Sequence, residues 1–305
     1  MKKLPRTVYS LKRWMAFSLI MGVALLFTNF AGNEVSANHP VLVEGNCDSP
    51  VPGTTIVQQG TCGDYDGDGR IGTAEDTDGA DRIFGTINAA LGNGTGAATG
   101  TGANMNGTVT IVTSGRFAES VAINPTSLGQ VTLQAAPGVS AEINAVLQGD
   151  PAGNNVPRQN GIGINVNATS FDNKVILRNL TIRNYATGVN IQMNSRVTME
   201  NCRLESNLDY GIRLLNNARL EAKGLRIAST GFRIGPGVPT VTTLGHAISF
   251  EGASAGTVFH SQITGSFGAA ITNTSSGGPP AVRYYEVFLG FNGADIVGAT
   301  RESAP

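Results

Sequence analysis

The segment TGVNIQ, residues 187–192, decides the fold because it returns in altered form further along the chain. Each copy joins a small residue to a short strand in which apolar and polar residues alternate, as in a β-strand with one buried side. The later copies are YGIRLL (210–215), GHAISF (245–250), GAAITN (268–273) and GADIVG (293–298). Their aligned apolar positions are Val189, Ile212, Ile248, Ile271 and Ile296, at spacings of 23, 36, 23 and 25 residues. Such spacing indicates a repeat architecture.

A second set of strand-like segments follows the first copies in the same order. Its members are VILRNLTI, VTMENCRL, RLEAKGLRI, TVFHSQI and RYYEVFL. The insertion GFRIGPGVPTVTTLG, residues 231–245, accounts for the one long spacing. Several short strands in a period near 23 residues predict an all-β solenoid, a parallel β-helix whose inward aliphatic side chains stack into one core. A β-sandwich would not require the same glycine and aliphatic residue to recur.

Upstream lie two further segments that point to the same architecture. DRIFGTINAALG, residues 81–92, predicts a helix with Ile83, Phe84, Ile87, Ala90 and Leu91 on one face. VTIVTSGRFAESVAIN follows at residues 109–124. Together these segments resemble the pectin-lyase-like family of right-handed parallel β-helices, in which a helix of the form TINAAL caps the open end of the coils. The resemblance implies a capped right-handed β-helix over residues 82–300, followed by a tail at 301–305.

The start of the chain is typical of an exported protein. A basic segment, MKKLPRTVYSLKR, precedes the apolar run Trp14–Phe27, and VSA at residues 35–37 offers a cleavage site. This order predicts a signal peptide at residues 1–37 and a secreted protein, extracellular, at the cell surface or periplasmic. The alternative is an uncleaved anchor, but the apolar run is shorter than the roughly 20 residues of a membrane span. No later segment is apolar enough to span.

Charge argues against nucleic acid as a partner. The full chain has a formal net charge of −1, and removal of residues 1–37 takes away five basic residues and one acid, which leaves −5. The remaining chain has two lysines, Lys174 and Lys223. Proteins that bind nucleic acid through its phosphates carry a basic surface instead.

The entry segment, residues 38–81, holds two of the three cysteines. Cys47 and Cys62 lie in an irregular stretch with glycine and proline, and in an exported protein they predict a disulfide. Cys202 lies within the alternating stretch VTMENCRLE, which favours a small buried side chain over a nucleophile.

The same segment contains DYDGDGRIGTAE, residues 64–75. Its oxygen ligands would be Asp64, Asp66, Asp68, the carbonyl of Arg70 and a bidentate Glu75, which matches the spacing of an EF-hand loop and predicts bound Ca²⁺. The alternative is a solvated acidic loop. The loop also resembles those of dockerins and other bacterial extracellular proteins. Asp76, Asp78 and Asp81 offer a second, partial calcium site, although their spacing completes no second loop. Because the loop lies directly before the predicted helix, a stabilising role is expected.

Stacking of the coils brings distant residues together on the outer surface. Asn190, Arg213 and Ser249 are expected in one outward row, and Glu251 in the next row, adjacent to Arg213. Two insertions, residues 149–161 and 231–245, precede strands of this row, so a groove is predicted at Asn190, Asp209, Arg213, His246 and Glu251. The alternative is a solvated face with an ion pair of little energetic value.

Other charged residues are expected to make structural contacts only. Arg183 and Glu205 occupy equivalent places on successive coils and predict an ion pair, while His260 and Glu286 align with Asn179 and Asn201 at a turn.

No catalytic residue is predicted. Lyases of the resembling family use an Arg or Lys base beside calcium-binding aspartates, and hydrolases use paired carboxylates; neither set lies in the predicted groove. The leading hypothesis is a calcium-binding β-helix that associates with extracellular or cell-surface polysaccharide. The alternatives are a polysaccharide lyase or hydrolase acting on acidic polysaccharide, and an adhesin or assembly module that self-associates end to end, because an uncapped last coil exposes strand edges.

Overall fold

The structure is a computed structural model. It describes residues 41–44, 82–91, 107–125, 129–145, 161–168, 170–231, 245–274, 282–298 and 300–301. Every strand pairing in these residues is parallel. Apart from β1 and β2, which pair with each other, strands pair with strands one coil away instead of with their neighbours in sequence. The prediction of an all-β solenoid is therefore confirmed.

Three sheet faces run along the molecule. The strands of the first face are β1 (Val41–Val43), β2 (Arg82–Phe84), β3 (Gly107–Ile111), β6 (Gln130–Ala135), β9 (Lys174–Arg178), β12 (Arg196–Glu200) and β15 (Arg219–Lys223). The strands of the second face are β4 (Gly115–Phe117), β7 (Ala141–Asn144), β10 (Leu180–Arg183), β13 (Arg203–Glu205) and β16 (Arg226–Ala228). The strands of the third face are β5 (Val121–Ile123), β8 (Ile162–Ala168), β11 (Thr187–Met193), β14 (Tyr210–Leu214), β17 (His246–Phe250), β19 (Ala269–Asn273) and β21 (Ala294–Val297).

Two long strands cross from the first face to the second. They are β18 (Ala255–Thr264) and β20 (Val282–Gly290), and the short strand β22 (Thr300–Arg301) pairs with β20. Each coil of the chain visits the first, second and third faces in that order, so the described residues contain seven successive coils from β3 to β21.

The core fills the space between the three faces with stacked aliphatic side chains. The aligned residues of the repeat are register partners in the third face, and each pairs with the next one along the solenoid. Their order is Val189, Ile212, Ile248, Ile271 and Ile296. The first four are fully buried, and their row continues back through Ile164 to Val121. Each coil buries its apolar side against the next, which is why no single coil is stable alone.

Turns between the first two faces use a repeated backbone conformation. Asn179, Asn201, Gly224, His260 and Glu286 have φ values of 56°, 53°, 67°, 48° and 49°. Asparagine and glycine adopt this left-handed conformation with little strain, whereas histidine and glutamate do so less readily. The alignment of His260 and Glu286 with the two asparagines is confirmed. At these two turns the left-handed conformation is adopted at a cost in backbone strain.

The insertion at 231–245 leaves and rejoins the solenoid at one point. A Cβ atom on Gly231 would lie 2.8 Å from the Cα atom of Gly245, and both glycines have positive φ. The Gly231 N–H donates to the carbonyl of Asn207, and the Gly245 carbonyl accepts from the N–H of Gly268. The coil therefore continues past the insertion, whose residues 232–244 lie outside the described part of the chain.

The predicted helix is much shorter than expected. Arg82–Phe84 forms strand β2, which pairs with β1, and the helix α1 is limited to Ile87–Ala90. The β-branched and aromatic residues of the first stretch suit a strand, and the distant segment Val41–Val43 supplies its partner. The prediction of a helix is therefore wrong for Arg82–Phe84 and confirmed for Ile87–Ala90.

The short helix still closes one end of the core. Ile87, Ala90 and Leu91 are buried against the interior, and the Glu119 carboxylate accepts hydrogen bonds from the N–H groups of Ile87 and Asn88 at 2.8 and 3.0 Å. The Asn88 side chain accepts from the Ala122 N–H at 3.1 Å. It thereby occupies a backbone donor of β5, the edge strand of the third face. Among the residues described here, none forms a helix long and apolar enough to cross a membrane.

Candidate functional site

An ion pair lies at the centre of the third face. Arg213 extends from β14, and Glu251 follows β17 on the next coil. The Arg213 Nε and Nη2 atoms donate to Glu251 Oε1 and Oε2 at 2.9 and 2.8 Å. Ser249 adds a third hydrogen bond to Glu251 Oε1 at 3.1 Å. Both oxygens of the carboxylate and two of the guanidinium nitrogens are thus engaged.

Two rings complete this cluster. The guanidinium carbon of Arg213 lies 4.8 Å from the centre of the Tyr210 ring, a distance suited to a cation–π contact. The His246 ring centre is 6.1 Å from that of Tyr210. Tyr210 is only 7% exposed, so its ring supports Arg213 from beneath and offers little surface to a ligand.

The pKa values in the cluster follow from burial and from the ion pair. Burial raises the pKa of Glu251, but the hydrogen bonds from Arg213 and Ser249 outweigh it, and the net pKa lies below the ordinary value. The hydrogen bond to Glu251 raises the pKa of Arg213. Burial, together with the nearby Glu251 charge, raises the pKa of Tyr210. Each charged group of the pair is therefore held in its ionised form.

His246 is held in the neutral form. Burial lowers its pKa because the cation is less well solvated there. Its Nδ1 atom accepts a hydrogen bond from the N–H of Ala269 at 2.9 Å, so the ring proton resides on Nε2. The ring is therefore a hydrogen-bond donor through Nε2 at neutral pH.

The Asn190 side chain is buried. It is 4% exposed, and its Nδ2 atom donates to Asn165 Oδ1 at 2.9 Å, an oxygen that also accepts from Gln192 Nε2 at 3.0 Å. The outward row predicted through Asn190, Arg213 and Ser249 is in register as expected, but Asn190 and Ser249 are covered. Asp209 lies close enough to affect the pKa values of Arg213 and Tyr210.

Two residues of this cluster were missed as site residues by the sequence reasoning. Tyr210 and Ser249 follow from the alignment itself, since Tyr210 opens the strand that carries Arg213 and Ser249 lies opposite Arg213 in the register. The alignment places residues in rows, but it does not say which side chains turn toward each other.

The predicted ion pair between Arg183 and Glu205 is wrong. The two residues are register partners, yet Arg183 lies 3.8 Å from Glu142 of the preceding coil, and Glu205 bonds to Arg203 of its own strand. By contrast the His260 Nε2 and Glu286 Oε2 atoms are in contact at 2.6 Å on the surface. Cys202 is 1% exposed, so the prediction of a small buried side chain is confirmed, and burial raises its pKa to about 12.

The calcium ligands Asp64, Asp66, Asp68, Arg70 and Glu75 lie outside the described residues, as do Cys47 and Cys62. In the described part of the chain, no three His, Cys, Asp or Glu side chains are grouped as metal ligands.

Successive coils of parallel strands around one aliphatic core define a solenoid of the parallel β-helix class. Residues 138–283 match the sequence profile of the family described as the right handed beta helix region, so this part of the chain is a right-handed parallel β-helix. No curated protein and no solved structure is significantly similar to the chain.

Proposed function

We propose that this protein is an exported β-helix that binds extracellular or cell-surface polysaccharide on its third face without cleaving it. The observation that carries the proposal is the bidentate pair of Arg213 and Glu251. A guanidinium whose pKa is raised cannot remove a proton at neutral pH, and a carboxylate whose pKa is lowered is a poor proton donor.

Binding needs a different set of properties, and the third face has several of them. The Arg213 and Glu251 side chains remain 35% and 22% exposed, and the neutral His246 offers a donor beside them. Planar charged groups that are fixed in place form hydrogen bonds to sugar hydroxyls at a small entropic cost. The coils repeat at about 4.8 Å, which suits an extended polymer that runs along the solenoid.

The test uses the purified protein with polygalacturonate, alginate and neutral dextran as probes. Calorimetry measures binding, and assays of unsaturated product and new reducing ends measure cleavage. We expect binding without product, weakened in Arg213→Gln. A matched control is Arg178→Gln, which removes the same charge from a pair with Glu200 on the first face. Product that disappears in Arg213→Gln would instead establish the lyase or hydrolase alternative.

The proposal includes a structural Ca²⁺ ion held by Asp64, Asp66, Asp68, the Arg70 carbonyl and Glu75. Support comes from the donor set, since carboxylate and carbonyl oxygens at this spacing suit a hard cation. We expect EDTA to lower the melting temperature and Asp64→Ala to give the same low value, with no further change on adding EDTA. Asp172→Ala, an exposed aspartate in the solenoid, should retain the response to EDTA. A melting temperature indifferent to EDTA would refute the calcium site.

End-to-end assembly is a second candidate, favoured by the last coil that the structure describes. Ile296 is only partly buried although its register partner Ile271 is fully buried. Phe288 and Phe291 are 60% and 96% exposed. We expect light scattering to show association that rises with concentration and is lost in Phe288→Lys, whereas Met193→Lys, at another exposed site, should have no effect. A monomer at high concentration would refute assembly.

A further inference from the structure

The first face carries a row of basic side chains that the third-face cluster does not include. Lys174, Arg196 and Arg219 begin strands β9, β12 and β15 and are direct register partners. Their backbones are therefore about 4.8 Å apart, one step of the solenoid for each charge. Arg196 and Arg219 are exposed and Lys174 is half-buried. We call these three residues the basic row.

Within the described part of the chain, no carboxylate forms an ion pair with the basic row. Arg219 donates one long hydrogen bond, 3.5 Å, to the carbonyl of Ala253. By contrast, Arg178, at the other end of strand β9 from Lys174, lies 2.6 Å from Glu200. Like charges opposite each other on neighbouring strands are destabilising, so the basic row is retained at a cost to folding.

A groove with a volume of about 570 Å³ lies over this part of the first face. Arg196 and Arg219 line it together with Phe171 and Arg283, and its acidic lining residue is Glu221. The Phe171 ring is 41% exposed and lies 5.9 Å from the Arg219 guanidinium carbon. The groove therefore combines an excess of positive charge with one exposed aromatic ring.

We propose that the basic row binds a linear acidic polysaccharide whose chain runs along the solenoid axis. Successive uronate carboxylates would meet successive basic side chains, with Arg196 and Arg219 each able to form a bidentate pair. One sugar ring would pack on Phe171. The choice of polysaccharide as ligand rests on the proposed function, but the site is separate from the Arg213 cluster, which lies on the third face.

A regular carboxylate chain fits this surface better than a nucleic acid does. The chain has a formal net charge of −1, and the basic residues at this place form a narrow row instead of a broad basic surface. The groove also offers one aromatic ring, whereas proteins that bind single strands stack several bases on successive rings.

The test compares two double variants of the full chain. Arg196→Gln with Arg219→Gln removes two charges from the basic row. Arg203→Gln with Arg226→Gln removes two charges from register partners on the second face and is the matched control. Binding of defined polygalacturonate oligomers is measured by calorimetry at two salt concentrations, beside Arg213→Gln, neutral dextran and a single-stranded oligonucleotide.

We expect the basic-row variant to lose about tenfold in affinity for polygalacturonate at low salt, because two exposed charge contacts are removed. Its affinity should also depend less steeply on salt concentration. The affinity of the control variant for polygalacturonate should change by less than about twofold, as is usual for a surface substitution outside the binding site. Polygalacturonate should also raise the melting temperature of the wild type more than that of the basic-row variant. Because removal of like charges relieves repulsion, this variant should fold at least as stably as the wild type.

The possible results separate this site from the proposed function. Loss of binding in Arg213→Gln alone would overturn the basic-row proposal and leave the third-face site standing. Loss in the basic-row variant alone would support the basic row and overturn binding at Arg213. Absence of binding in the wild type would overturn both. Tighter binding of the oligonucleotide, lost in the basic-row variant, would overturn polysaccharide as the ligand.

Discussion

Replacing Arg213 and Glu251 by alanine, singly and together, measures how strongly the two side chains are coupled. Their two hydrogen bonds of 2.9 and 2.8 Å favour a strong pair, but exposures of 35% and 22% allow water to screen it. Exposed pairs contribute about 0.2–1 kcal/mol, and loss of one partner of a fully buried pair costs about 3–5 kcal/mol. We therefore expect a coupling free energy of about 1 kcal/mol at pH 7, near the upper limit for an exposed pair.

The assay is urea unfolding of the wild type, both single variants and the double variant, which gives the coupling as the departure from additivity. The same cycle on Arg178 and Glu200, which are 40% and 34% exposed, is the comparison. That pair should be coupled by less, about 0.5 kcal/mol, because its groups are more hydrated.

Acid should remove the coupling in a defined direction. The folded state lowers the pKa of Glu251, so this group stabilises the fold fully above its unfolded pKa, about 4.3, and the stabilisation is lost as the pH falls through the folded pKa. We expect the coupling at pH 7 to persist at pH 5 and to decrease at pH values below 4.3. A coupling near zero at pH 7, or one that grows on acidification, would refute the reasoning.

Three further predictions concern the solenoid itself. A Cβ atom on Gly211 would lie 2.5 Å from the Ala247 carbonyl oxygen of the next coil, so Gly211→Ala should lower the free energy of unfolding by about 1–3 kcal/mol, and an unchanged urea midpoint would contradict this. His260→Val should cost about 1–3 kcal/mol at its φ of 48°, as measured by thermal melting, while Gln262→Val on the same strand should cost clearly less. Cys202 should resist a thiol reagent in the native protein and react in denaturant; equal rates would show that it is accessible.

The repeat was predictable because the buried residues recur with the same period. Every coil places an aliphatic residue at the same point of the third face, as Ile212, Ile248 and Ile271 do, and the pairing follows from aligning these residues. Insertions between faces leave the register unchanged, as Gly231 and Gly245 demonstrate. Alternation and period are properties of the chain itself, so they can be read without coordinates.

Prediction failed where a distant segment supplied the partner. Arg82–Phe84 has the apolar spacing of a helix, but strand Val41–Val43 lies beside it and pairs with it. The Arg183 side chain approaches Glu142 and not its register partner Glu205. The basic row was overlooked although the alignment contains it: Lys174, Arg196 and Arg219 each begin a strand, directly before an apolar residue.

The sequence by itself determined the solenoid, the inward rows and the neighbourhood of Arg213 and Glu251, because these depend on a period of about one coil and on alternation along each strand. Only the tertiary structure decided that Asn190 is covered, that Tyr210 lies beneath Arg213, and that the guanidinium closes on both carboxylate oxygens. Those outcomes depend on the rotamers and solvation of long side chains, which neighbours from three coils set together.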